Sequence, residues 1–339
     1  ACAAAGLEVP FPWRAAPRRA AIDAAGRFLD SAAAMWVLLA LAAGTVQAAR
    51  NALARSLSGK VSPALNSWAR FTFNLPFSGA LWLALLALRP PLDVSTFFFA
   101  ACAATALAQL LGNVALVAAF GRASFAESIV LHKLEIVFAA VIGFTLFDER
   151  PSPFGWAGVL TSATGVLLMN LGRDVGPRRW RRMFHLDTGA MLALGCGLLL
   201  VLASFFLKEA ATELAVLNPH LGERRFEAAV HTLFHTTWIE VVVLTVAIRF
   251  GRPGEFAHVP THWRRMAWIG LTGFLGSLCW FWAYSIALVA YVKAVGQIEA
   301  VFAIALAIRV WGERDVFRRQ APGIALVLGG ILLVLAGGR

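Results

Sequence analysis

Charged residues are scarce in this 339-residue chain, where they make up only 14% of the sequence. A soluble protein carries roughly 25% charged and 45–50% apolar residues, whereas 59% of this chain is hydrophobic and its mean hydropathy is +0.71. One soluble core cannot bury that excess. The composition therefore excludes an ordinary soluble domain and predicts a protein that lies in a lipid bilayer.

Acidic residues are scarcer than basic ones, and the net charge is +11. In a soluble protein this excess would suggest nucleic acid binding. Here the arginines fall mainly between apolar segments, where they face lipid headgroups or set topology, so we expect no nucleic acid partner. The four cysteines are isolated and show no metal-ligand spacing, and the sequence predicts neither a metal site nor a cofactor.

Ten apolar stretches are long enough to cross about 30 Å of hydrocarbon. They run over 32–54, 66–88, 95–119, 124–147, 155–172, 188–208, 227–249, 266–286, 288–311 and 321–337. A basic linker at 173–187 separates two sets of five, and a basic tail or interfacial helix is expected at 1–31. The sequence thus predicts an all-α polytopic membrane protein with five-helix units over 32–172 and 188–339.

The two units are repeats of each other. Residues 132–150 read HKLEIVFAAVIGFTLFDER and residues 296–314 read GQIEAVFAIALAIRVWGER, which aligns Glu135 with Glu299. Because each unit has five helices, the second enters the membrane from the side opposite to the first. This arrangement predicts ten transmembrane helices in two inverted five-helix repeats, with a binding site near the midplane between them.

The repeat, the ten segments and the Glu-Arg that closes segments four and nine, at Glu149 and Glu313, resemble a known family. They are similar to the EamA-type ten-helix members of the drug/metabolite transporter superfamily over roughly 32–337. The resemblance implies an all-helical transporter that works by alternating access around a central cavity. Members of that family carry amino acids, nucleotide sugars, sugar phosphates, quaternary amines and other metabolites, so the resemblance names no single substrate.

Small and terminal residues of the repeats have a structural interpretation. Glu149 and Glu313 are expected to mark helix ends at the membrane surface. Glycines in segments five and ten are expected to let neighbouring backbones pack closely. They are Gly158, Gly165, Gly323, Gly329 and Gly330.

Five charged groups fall inside the apolar segments: Lys133, Glu135, Glu240, Lys293 and Glu299. Left uncompensated they would cost roughly 12–18 kcal/mol on insertion scales, more than the stability of a typical domain. They must be paired, neutralised or exposed to a water-filled cavity. One interpretation is a salt-bridge network that locks helices together, and the other is substrate contact or proton coupling.

Helical spacing restricts which of these groups can meet. On a continuous helix His132 shares a face with Glu135, whereas Lys133 points away from it, so partners must come from other helices. Gln297 shares a face with Lys293. We expect Glu135 and its counterpart in the other unit to face the cavity, with His132 as a candidate proton relay.

Further polar and aromatic residues complete the candidate site. The pair His231 and His235 has the spacing of metal ligands, but Glu240 is rotated away from them and no third ligand is apparent. Trp282 and Tyr284, in the run CWFWAYS, are interpreted either as membrane-interface anchors or as a wall for an aromatic or quaternary-amine substrate. Asn113 is expected to bond a substrate or to pack against a neighbouring helix.

We predict a secondary transporter of a small polar or zwitterionic metabolite, acting by exchange or proton-coupled export, as a monomer or homodimer in the bacterial inner membrane. The alternatives are a flippase for a lipid-linked head group, a transporter of an anionic phosphorylated metabolite, a passive channel and, less favoured, an intramembrane enzyme. No nucleophile–base pair is visible, so we expect no enzyme. The positive-inside rule places both termini outside the cytoplasm, whereas the resemblance places them inside, and we follow the resemblance.

Overall fold

The computed structural model describes residues 16–57, 59–120, 132–171, 188–222, 225–299, 301–302 and 314–337, and no strand occurs among them. The helices in these ranges are α1 (Ala16–Leu57), α2 (Pro63–Thr72), α3 (Leu75–Leu88), α4 (Thr96–Phe120), α5 (Glu135–Leu146), α6 (Pro153–Leu171), α7 (Thr188–Leu217), α8 (Phe226–Gly251), α9 (Val259–Ile286), α10 (Val289–Gly296) and α11 (Arg314–Gly337). Short 3₁₀ helices precede α8 and α9 at Pro219–Leu221 and Pro253–His258. The predictions for the linker at 173–187, for Glu313 and for the first 15 residues lie outside these ranges.

Six segments of the described chain are long and apolar enough to cross a membrane. They are Pro63–Leu88, Thr96–Leu116, Thr188–Leu217, Phe226–Gly251, Pro253–Ile286 and Gln320–Gly337, with shorter apolar helices at Glu135–Leu146 and Pro153–Leu168. Large apolar side chains point outward from them, among them Leu88, Phe250 and Leu332. An outward apolar surface is what lipid chains require.

Four helices extend beyond their predicted bounds. α9 and α11 each begin seven residues early, at Val259 and Arg314. α1 runs without interruption from Ala16, so the interfacial helix predicted within 1–31 and the first membrane segment form one helix. α7 continues to Leu217, nine residues past the predicted end at 208. Lys208 therefore lies inside this helix and does not mark its end.

Three predicted continuous helices are interrupted. The segment predicted at 124–147 turns at residues 133–134, and α5 begins at Glu135. The segment predicted at 288–311 is interrupted at Gln297, the C-cap of α10. In the segment predicted at 66–88, α2 ends at Thr72 and α3 begins at Leu75, because Pro76 lacks an N–H and its ring clashes with the carbonyl four residues earlier.

The helices pack in pairs that draw on both halves of the chain. The most extensive contacts join α6 to α11, α4 to α7 and α1 to α9. Close to them α10 packs on α5, and α2 and α3 pack on α8. Since α10 ends at Gly296, where the second aligned stretch begins, this arrangement brings the starts of the two aligned stretches together.

Glycines allow α6 and α11 to touch backbone to backbone. A Cβ on Gly158 would lie 2.6 Å from the carbonyl oxygen of Gly330, and one on Gly165 would lie 2.7 Å from that of Gly323. These four glycines have the packing role predicted for them. The same prediction was wrong for Gly329, because a Cβ there would meet no atom within 4 Å.

Candidate functional site

Two ion pairs cross between the two halves of the chain. Lys293 Nζ, on α10, lies 2.9 Å from Glu135 Oε2 on α5, and Lys133 Nζ lies 3.0 Å from Glu299 Oε2. Each lysine thus bonds the glutamate of the other half. All four side chains are at most 11% exposed, so the two pairs are shielded from solvent. The predicted pairing between helices is confirmed.

The interruptions of the helices place these charges favourably. Glu135 lies in the first turn of α5, where the positive end of the helix dipole favours a carboxylate. Lys293 lies in the last turn of α10, where the negative end favours an ammonium group.

Glu299 is the more highly bonded of the two carboxylates. Besides Lys133, its oxygens accept bonds from Gln47 Nε2 at 2.9 Å and Asn51 Nδ2 at 2.7 Å, both on α1. Gln47 in turn accepts a bond from Trp280 Nε1 at 2.9 Å. A network of neutral side chains therefore joins α1 and α9 to the ion pair.

His132 does not bond Glu135 in the described part of the chain. Its Nδ1 lies 3.4 Å from Cys196 Sγ on α7. The turn at 133–134 also separates His132 from the helix of Glu135, so the geometry expected for a proton relay on one helical face is not present.

Gln297 is 1% exposed and packs where α10 ends. Its Nε2 donates to the carbonyl oxygen of Lys293 at 3.3 Å, which confirms that these residues share a face. Its Oε1 is buried and has no hydrogen-bond partner among the described residues. An acceptor thus remains available beside the ion pairs.

Tyr284 is buried beside the ion pairs, so its interpretation as an interface anchor was wrong. Its ring stacks on Trp280 with centroids 5.4 Å apart and lies 5.8 Å from Lys293 Nζ. The neighbouring Trp282 instead packs on Phe226, at the start of α8. Tyr284 therefore lies against the charged groups, next to Lys293.

A second polar group lies between α2, α4 and α8. Asn113 Oδ1 accepts a bond from an Nη of Arg70 at 3.1 Å, and its Nδ2 donates to the Gln109 carbonyl. Glu240 is 2% exposed and makes no hydrogen bond or ion pair with any described residue. Arg70 is close enough to act on it electrostatically. Asn113 is thus held by protein groups on both sides.

The histidines of α8 are bonded to tryptophans. Trp82 Nε1 donates to His231 Nδ1 at 3.1 Å, and Trp238 Nε1 donates to His235 Nδ1 at the same distance. Within the described ranges, no three His, Cys, Asp or Glu side chains are grouped as metal ligands. This geometry favours packing histidines.

The interpretation of Glu149 as a membrane-surface marker was wrong. The residue does follow the end of α5, but it is only 6% exposed. It bonds Lys208 Nζ and accepts the Val289 N–H that opens α10. Lys208 also donates to the Ala287 carbonyl at 3.0 Å, so this pair ties three helices together.

Sequence reasoning missed several members of the two networks. They are Gln47, Arg50, Asn51, Arg70, Asn74 and Trp280. The signal for Gln47 and Asn51 was present, because they are polar and lie four residues apart in the predicted membrane segment 32–54.

Comparisons with known proteins agree with this architecture. Residues 34–171 match the sequence profile of the EamA-like transporter family. One crystal structure superposes with a TM-score of 0.63 at 19% identity, covering 91% of this chain and 99% of that one. No curated protein sequence matches the chain.

The family match and the apolar helices together establish an integral membrane protein, and the family matched over residues 34–171 consists of small-molecule transporters rather than enzymes. The region over residues 34–171 belongs to the EamA-like transporter family, within the drug/metabolite transporter superfamily.

Proposed function

We propose that this protein is a secondary transporter that moves a small polar or zwitterionic metabolite by alternating access. The observation that carries the proposal is the pair of crossed ion pairs between the two halves of the chain. Buried charges in a membrane usually line a transport pathway or contact its cargo. Here they lie where discontinuous helices from both halves meet, as in many transporters.

The repeat predicts that equivalent residues make equivalent contacts, and two contacts support this. A Cβ on Gly44 of α1 would lie 2.9 Å from the carbonyl oxygen of Gly296, and one on Gly197 of α7 would lie 2.9 Å from that of His132. His132 and Gly296 are aligned in the repeat. In the repeat, α1 corresponds to α7 and α9 corresponds to α4, so the packed pair α1 and α9 corresponds to the packed pair α7 and α4. We therefore propose ten membrane helices in two inverted repeats over 32–172 and 188–339.

A zwitterion is the cargo that these charges favour. Opening the interface between the halves would separate Lys293 from Glu135 and leave two buried charges without partners, which is costly. A zwitterion carries both signs, so its ammonium group can bond the freed carboxylate while its carboxylate bonds the freed lysine. We infer that cargo binding replaces the protein's own ion pair in this way and lowers the free-energy cost of opening.

An anionic metabolite is the second candidate, and one observation favours it. Arg50 and Arg70 lie close enough to repel each other electrostatically. Each bonds a neutral amide, Asn51 and Asn113 respectively, and neither forms an ion pair within the described ranges. A phosphate or carboxylate between them would relieve the repulsion.

The cellular setting is proposed on the family's behaviour. We place the transporter in the bacterial inner membrane with both termini in the cytoplasm, as a monomer or homodimer. Exchange and proton-coupled export both agree with an inverted-repeat architecture.

A ligand screen tests the proposal. Purified protein is heated with amino acids, quaternary amines, sugar phosphates or nucleotide sugars, because a ligand that binds the folded state raises the melting temperature. Counterflow of the labelled hit into proteoliposomes then measures transport. Zwitterions are expected to stabilise the protein and to exchange, and a hit confined to sugar phosphates selects the anionic candidate. Absence of counterflow for every stabilising ligand would refute the transporter.

A further inference from the structure

The break between α2 and α3 lies directly opposite Glu240. Trp68 Nε1 donates to Thr245 Oγ1 at 2.8 Å, and Trp82 Nε1 donates to His231 Nδ1 at 3.1 Å. The two tryptophans are fourteen residues apart, and so are their partners, but the later tryptophan bonds the earlier partner. The two segments therefore run antiparallel and in register. Glu240 lies five residues before Thr245, and the break at 73–74 begins five residues after Trp68.

Five buried polar atoms around the break and Glu240 have no hydrogen-bond partner among the described residues: Arg70 Nε, Thr72 Oγ1, Asn74 Oδ1, Thr236 Oγ1 and Glu240 Oε1. Glu240 is 2% exposed and Asn74 is 1% exposed. Buried polar groups are nearly always bonded, so five unsatisfied atoms in one region need an explanation.

We propose that Glu240 is the proton-binding carboxyl of this transporter, bonded alternately by Arg70 and Asn74. An ionised carboxylate only accepts hydrogen bonds, and the free Nε–H of Arg70 can donate one. A protonated carboxyl also donates, and the free Oδ1 of Asn74 can accept from it. Each protonation state thus has its own partner.

This assignment deepens the proposed function and rests on it. Under this assignment Glu135 and Glu299 do not bind the coupling proton, because each already accepts a bond from a lysine at 2.9 or 3.0 Å. A cation bonded to a carboxylate favours its ionised form, so such a carboxylate binds a proton only weakly. Glu240 has no such bond.

Proton binding acts on the helix break through the choice of partner. Arg70 lies on α2, before the break, and Asn74 is the N-cap of α3, after it. When Glu240 takes up a proton, its bond passes from α2 to α3. The contacts of α2 and α3 with α8 then change, and the turn between these two segments can absorb the movement.

Few charges compete for this site. The elements packed on α8 are α2, α3, α4, α7, α9 and the two 3₁₀ helices. Among their described ionisable groups, Arg70 alone acts on Glu240 electrostatically. On α8 itself, His231 and His235 are bonded to tryptophans.

Infrared titration of the purified protein tests the proposal without a substrate. The carbonyl stretch of a protonated carboxyl group is followed as the pH is raised. Glu240→Gln is expected to abolish one titrating band, and Glu135→Gln to leave it unchanged. The reverse result would overturn the assignment, as would a band that survives both substitutions.

Two milder variants keep the test valid if Glu240→Gln fails to fold. Asn74→Ala removes the partner of the protonated form and should move the midpoint about one pH unit lower, the equivalent of one hydrogen bond. Arg70→Lys keeps the charge but removes Nε–H and should move the midpoint higher. Shifts in the same direction would refute the alternating partners. A protein that titrates as described but shows no counterflow would instead refute the transporter.

Discussion

Substituting one residue of the Lys293–Glu135 pair should destabilise the protein far more than substituting both. At 2.9 Å the Coulomb attraction is about 6 kcal/mol with an effective dielectric constant near 20. Dehydration of both groups offsets much of that gain. Lys293→Met or Glu135→Gln alone leaves a charge that is buried without its partner, and each should lower the free energy of unfolding by about 3–5 kcal/mol.

The double variant, Lys293→Met with Glu135→Gln, contains no unpaired charge. Its free energy of unfolding should lie close to that of the parent protein or exceed it by about 1–4 kcal/mol. Unfolding in mixed micelles with increasing denaturing detergent, followed by tryptophan fluorescence, measures all four proteins. Losses that simply add in the double variant would show that the two residues are not coupled and would refute the reasoning.

An exposed pair in the same protein is the matched control. Arg150 and Asp148 lie 2.8 Å apart with side chains 77% and 81% exposed. Screening by solvent should hold the coupling between them below about 1 kcal/mol. Comparable coupling in the two pairs would mean that burial is not the cause.

Other predictions concern packing, the Glu149–Lys208 pair and orientation. Gly165→Ala places a Cβ 2.6 Å from the Val327 nitrogen and should destabilise the protein by about 1–3 kcal/mol, whereas Gly329→Ala has open space and should change stability by at most about 1 kcal/mol, as thermal unfolding will show. Glu149→Gln should cost about 3–5 kcal/mol by leaving Lys208 buried without its partner, and a melting temperature equal to the parent's would contradict this. Cysteines introduced near each terminus should react with an impermeant maleimide only after the membrane is opened, and labelling of intact cells would place the termini outside.

Helix positions were largely predictable from sequence, because membrane helices need long apolar runs that stand out from their junctions. The predicted segment at 95–119 matches α4 at Thr96–Phe120 within a residue. The interruptions were harder to foresee. At Gln297 no proline is present, and the apolar pattern continues on both sides. Only tertiary contacts reveal such a turn.

The sequence predicted which charged residues form the site, but not which of them bond each other. Spacing alone showed that Lys133 cannot bond Glu135 along one helix. It could not tell which helix supplies the partner, because that depends on how α5 and α10 pack. The same limit explains Glu149, whose position after a helix suggested the membrane surface while the fold buries it against α10.

The crossed pairing has an evolutionary consequence if the halves descend from one duplicated segment. Lys133 aligns with Gln297 rather than with Lys293, so the two ion pairs are not copies of one ancestral pair. Each pair joins a lysine of one half to a glutamate of the other, so each half depends on a residue of the other. Among homologous sequences, position 133 should vary together with 299, and position 293 together with 135. Neither half can then be exchanged for that of a relative without restoring its partner.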